Sequence, residues 1–162
     1  MKPADLTALL EELYRDKFAQ RQRHVAAARL VGHYDFNNSY QYVIAREDTH
    51  LAWLRDALAP MGGALAQVPE PEVASGRPGP ERLQTILRDD ADATRAFVEK
   101  WRDRVASISH ARHRRMCEVV VGETREHQRF FEQALAGRDD LLGRRHATIG
   151  TGGGVLPVRW VE

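Results

Sequence analysis

The chain has 162 residues, enough for one domain with a proper core and too few for two. Acidic and basic residues nearly balance at a formal net charge of +1, which argues against a dedicated nucleic-acid binder, and no apolar run approaches the roughly 20 residues of a membrane span. A single cysteine, Cys117, excludes an internal disulfide framework. With an opening Met1-Lys2-Pro3-Ala4-Asp5 that leads straight into an amphipathic pattern without a signal peptide, it makes a cytoplasmic protein the expectation.

Helix one is predicted from about Ala4 to Val31, with Leu6, Leu9, Leu10, Leu13, Phe18, Val25, Ala28 and Val31 at helical spacing and Gly32 as the stop. Helix two starts near Asp35 and passes Tyr40, Val43, Ile44, Leu51, Leu54 and Leu58 before Pro60-Met61-Gly62-Gly63 ends it. Between Ala64 and Pro80 the prolines Pro69, Pro71 and Pro78 and several glycine or serine breaks make an irregular connection. Helix three runs from Pro80 or Glu81 to Ile108 through Ile86, Ala93, Phe97, Trp101 and Val105, and helix four from about Ala111 to Ala136, stopping at Gly137. No internal repeat is evident beyond the likeness of the two helix pairs. Residues 1–140 form the bundle domain and 141–162 a Gly-rich linker with an apolar tail, Val155-Leu156-Pro157-Val158-Arg159-Trp160-Val161. The glycines of that linker lack the order of a phosphate-binding loop. The tail is expected to fold back on its own bundle or to exchange within a homo-oligomer, a dimer, with docking on a separate partner as the other outcome.

Loop lengths choose the topology. Helices one and two, and three and four, are joined by a few residues, so each pair is an antiparallel hairpin. The middle connection, of about twenty residues, is unusually long unless it spans the bundle so that helix three runs parallel to helix two.

Two helical segments carry a Glu and a His on the face that should be buried. One is Glu47-Asp48-Thr49-His50 and the other Glu123-Thr124-Arg125-Glu126-His127. Residues three or four apart share a helix face, so each pair can aim a carboxylate and an imidazole at one point. At 100° per residue, Glu47 lies near Val43 and Leu54, and Glu123 near Met116, Val119, Phe130 and Ala134. Reflecting each hairpin about its turn sets His24 level with Glu47 and Asp90 level with His127. For His24 a core histidine bonded to a carboxylate is the competing role, and for Asp90 an acidic residue in a first helical turn. Glu126 is an alternative to Glu123. Tyr14, Tyr40, Trp53 and Trp101 read as packing residues.

With Glu47-x-x-His50, the Glu123–His127 pair and the crossover, residues 4 to 137 resemble the ferritin-like (rubrerythrin-type) superfamily, an all-α four-helix bundle of two antiparallel hairpins joined by a long crossover. In that family each hairpin supplies a Glu from its first helix and a Glu-x-x-His from its second, and the site binds two metal ions. The resemblance implies iron or manganese, two ions or one, held by His24, Glu47, His50, Asp90, Glu123 and His127, with redox chemistry toward oxygen or peroxide. Two other readings stay open. One is a single-metal bundle like the DinB-type hydrolases or thiol transferases, using His24, His50 and His127. The other is a non-enzymatic scaffold in which the inward polar groups only fix helix register.

Overall fold

The computed structural model describes residues 3–73 and 77–142; the apolar tail, with the docking expected of it, lies outside the described residues. The described residues form four long helices, α1 (Pro3–Ala28), α2 (Tyr34–Leu58), α3 (Pro80–Ala106) and α4 (Ala111–Leu135), with a 3-10 turn at Ala59–Met61 after α2. Among the described residues there is no strand, and no helix is long and apolar enough to cross a membrane.

Two helices stop earlier than their apolar period suggests. α1 ends at Ala28, where Leu30 and Val31 both turn back to donate to the Ala27 carbonyl, and α3 ends at Ala106. Val31 and Ile108 are nevertheless buried, so the period reports burial correctly while the last turn abandons the helix. The open carbonyls at the end of α1 are met from the next helix: Asn37 Nδ2 donates to Ala28 O at 2.9 Å and Val31 O at 3.2 Å. At the end of α4, Gly137 adopts φ +87°, Gly137 N donates to Ala134 O and Arg138 N to Gln133 O, a left-handed C-terminal cap.

Paired side chains fix the directions. Along α1 and α3, Glu12 meets Arg104, Asp16 meets Lys100, Gln20 meets Thr94 and Arg23 meets Asp90, so these helices are antiparallel. Along α1 and α2, Arg21 meets Asp48 and His24 meets Glu47, again antiparallel. Helices α2 and α3 therefore run parallel, as the long connection requires. The described part of that connection is a strap on the outside of α1. Ala64 N donates to Glu11, Gln22 donates to the Val68 carbonyl, and Arg29 pairs with Glu70.

The likeness of the two helix pairs is a repeat with a fixed offset of 77 residues. Adding 77 to the bounds of α2 gives those of α4, and adding it to those of α1 gives 80 and 105, against Pro80–Ala106 for α3. Burial follows the same shift: Leu9, Leu10, Leu13, Lys17, Gln20, His24 and Ala28 map onto Ile86, Leu87, Asp90, Thr94, Phe97, Trp101 and Val105, all buried. The core falls into two apolar clusters. One holds Leu10, Leu13, Leu54, Leu58, Trp101 and Cys117; the other holds Ala27, Tyr40, Val43, Ile86, Leu87 and Phe131. Between them lies a layer of buried polar side chains.

Gly137→Ala should lower stability by about 1–2 kcal/mol, the cost of a left-handed conformation for an L-residue, because no neighbouring atom lies where its Cβ would stand. Gly32→Ala, equally free of neighbours and without a positive φ, should be neutral or stabilising. Thermal melts of the two variants check this; equal melting temperatures would remove the capping role assigned to Gly137.

Candidate functional site

Lys17 occupies the middle of the polar layer. It continues the apolar stripe of α1, four residues after Leu13 and seven after Leu10, and its side chain is fully buried. All three ammonium protons find acceptors: Gln20 Oε1 at 2.9 Å, Glu47 Oε1 at 3.0 Å and Thr124 Oγ1 at 2.9 Å. The ammonium also stands 5.0 Å from the centre of the Phe97 ring. Glu47 is equally buried, and its second oxygen accepts from His24 Nδ1 at 2.9 Å. Thr124 passes its own proton to the Val120 carbonyl, and Thr94, which donates to the Asp90 carbonyl, accepts from Gln20 Nε2. Four helices thus meet in one connected network around a single buried ion pair.

The electrostatics follow from that placement. Burial opposes ionisation of Glu47, but the fields of His24 and Lys17 outweigh it and hold the carboxyl down to about 2. Burial lowers the pKa of Lys17 against the opposing pull of Glu47. Burial, reinforced by the Lys17 charge, lowers His50 to about 4 and His127 to about 3. Both imidazoles are therefore neutral near pH 7, and His50 must carry its proton on Nε2 to donate to Glu123 Oε2 at 2.8 Å.

The six residues expected as metal ligands are all on inward or rim-facing positions, but they do not form one coordination sphere. Glu47 is committed to Lys17 and His24. Glu123, half-buried at the rim, is clasped by Arg46 through Nε (2.9 Å) and Nη2 (2.6 Å) and bonded by His50. Asp90 lies nearer the α1–α2 turn, where Arg23 Nε at 2.5 Å and the Tyr40 hydroxyl hold it. Glu126 is exposed and paired with Arg129, so it does not replace Glu123. The His50 and His127 rings lie 6.3 Å apart, and His24 Nε2, His50 Nδ1 and His127 Nδ1 are buried without a partner. Among the described residues, one trio of His or acidic ligand atoms comes within 4.8 Å of one another, and it is His33, Asp35 and Asp139 at the end of the bundle.

The 77-residue repeat explains the mismatch. The counterpart of Glu47-x-x-His50 is Thr124-x-x-His127, not the Glu123–His127 pair, and the counterpart of Lys17 is Thr94. Glu123 corresponds to Arg46; the two join across the local two-fold axis, as His50 and His127 do. Of the four carboxylates that the ferritin-like resemblance implies, this arrangement keeps Glu47, with a lysine and two threonines at the other three places. Threonine hydroxyls are poor substitutes for carboxylate ligands, and divalent cations beside the Lys17 ammonium would meet a like charge. The residues present do not fit two metal ions. Two signals in the sequence could have found the real centre: a lysine inside a leucine stripe, and a T-x-x-H one repeat after the E-x-x-H.

No family model matches the chain, and neither the curated proteins nor the solved structures contain a match to it.

Replacing Lys17 by Met should destabilise the protein by about 3–5 kcal/mol, because Glu47 is left buried without its cation. Lys17→Met with Glu47→Gln should recover much of that loss, and a double-mutant cycle in urea measures the coupling. Additive losses would mean that the two groups do not form the pair described.

Acid should weaken the fold early. Unfolded imidazoles take up protons near 6.5, whereas His50 and His127 in the folded chain resist until about 4 and about 3. Below pH 6.5 the unfolded state binds more protons, so their share of stability is complete above that value and is lost as pH falls toward 3. Glu47 adds a loss between its ordinary 4.5 and about 2. Melting temperatures from pH 8 to pH 4 should fall continuously below pH 6.5; a flat profile down to pH 4.5 would contradict neutral buried imidazoles.

Proposed function

We propose that this protein is a non-enzymatic four-helix scaffold in which the Lys17 ammonium takes the place that the ferritin-like resemblance gives to metal. The observation that carries the reading is the saturation of Lys17 Nζ by Gln20, Glu47 and Thr124, on helices α1, α2 and α4. A cation supplied by the chain neutralises the one carboxylate at the centre, so no second positive charge is needed there. The directional bonds of the layer give it a role that apolar packing fills poorly. Sliding α4 by one turn against α1 would take Thr124 from the ammonium and leave one of its protons unpaired in a low-dielectric interior, at a cost of about 1–3 kcal/mol or more. The polar groups thereby fix helix register, the role attributed to buried polar residues in other bundles.

Metal content and thermal shift test this reading together. Protein purified without chelator or affinity tag should hold far less than one iron, manganese or zinc per chain. Added Fe(II), Mn(II) or Zn(II) should leave the melting temperature unchanged, since a ligand stabilises a fold only by binding it. Near two iron or manganese ions per chain would restore the redox reading. One zinc lost on replacing His127 by Gln would restore the single-metal reading.

A further inference from the structure

Between α1, α3 and the strap lies a cleft of about 440 Å³, within the range of small-molecule pockets. Its walls are short or ring-shaped apolar side chains: Ala19, Ala93, Ala96, Phe97, Pro69 and Pro71. Alanines at the facing positions leave the gap between the two helices and the strap unfilled, and the prolines offer ring carbon and no backbone donor. From Asp16 to Arg23 the cleft follows α1 over a length of about 10 Å at 1.5 Å per residue.

The charged groups at its ends are already neutralised. Lys100 is paired with Glu12 (2.9 Å) and Asp16 (2.6 Å), and Arg23 with Asp90 (2.5 Å) and Asp89 (3.7 Å). A charged ligand would find no unpaired opposite charge. On the floor lies Gln20, whose amide gives one proton to Thr94 and accepts one from Lys17, leaving a second N–H and a second lone pair. Phe97, the other floor residue, is the ring against the Lys17 ammonium.

We infer that this cleft binds an uncharged, flat apolar molecule about two rings long, with one hydroxyl or carbonyl that bonds the Gln20 amide. The inference rests on the polar layer as described, because Gln20 and Phe97 belong to both, and direct binding of 2-naphthol is read separately from the metal content that tests that layer. Titration of the full-length protein with 2-naphthol, followed by calorimetry and by the Gln20 side-chain amide resonances, tests it. One molecule should bind per chain, shifting those resonances, and 2-naphthoate should bind about tenfold or more weakly, since its carboxylate meets carbon and paired charges. Ala96→Phe, an exposed position whose ring would fill the cleft, should abolish binding without lowering the melting temperature. A Leu156→Ser/Trp160→Ser chain should bind with unchanged affinity. Absence of 2-naphthol binding, equal affinity for the anion, or binding undiminished by Ala96→Phe would each overturn the inference. Tighter binding by the tail variant would do so as well, by making the tail the occupant.

Discussion

The structure depends on a single ion pair taken out of water. Burying Lys17 and Glu47 costs each of them its hydration, and each is repaid only if every polar direction is met. They are met: three acceptors around the ammonium, two donors on the carboxylate. Because those partners come from three helices, the pair cannot be satisfied by either hairpin alone. The two apolar clusters supply the larger share of the driving force, but an apolar interface tolerates small slips that this layer does not.

The two-fold relation between the hairpins is kept in backbone and burial and broken in chemistry. Glu47 has Thr124 as its counterpart, Lys17 has Thr94, and Arg46 joins its own counterpart Glu123 across the axis. Had the symmetry extended to side chains, like charges would have met at the axis, as two arginines or two glutamates at positions 46 and 123. Opposite charges at equivalent positions turn an electrostatic conflict into a bidentate bond. The same logic holds at the centre, where one hairpin brings the ammonium and the carboxylate and the other brings hydroxyls that accept or pass on hydrogen bonds without adding charge.

Much of this was legible in the sequence. Helical periodicity, glycine and proline breaks and the contrast between short and long loops lead to four helices, two hairpins and a parallel α2 and α3, and the inward faces of Glu47, His50 and His127 follow from angle alone. The pairing of His24 with Glu47 followed from reflecting the hairpin. What the sequence concealed was the partner of those groups. Lysine is so rarely buried that a search for ligands among Glu, Asp and His passes over Lys17. Glu123 misled for a related reason: its spacing to His127 fits a shared face, yet its carboxylate reaches sideways to an arginine on the neighbouring helix rather than into the layer. Asp90 likewise found an arginine and a tyrosine before it could reach the centre.

The bond between the hairpins bears on the order of assembly. Each hairpin closes through a turn of a few residues and is held by local contacts, the kind that form fastest. The bond from Lys17 to Thr124 spans 107 positions and exists only after the hairpins have docked. Until then water must solvate the ammonium at the exposed face of the first hairpin, and docking has to strip it away as the threonine arrives. The step in which the two halves join is therefore also the step in which the charge is dried. A chain of this design carries its desolvation barrier in tertiary docking rather than in helix formation.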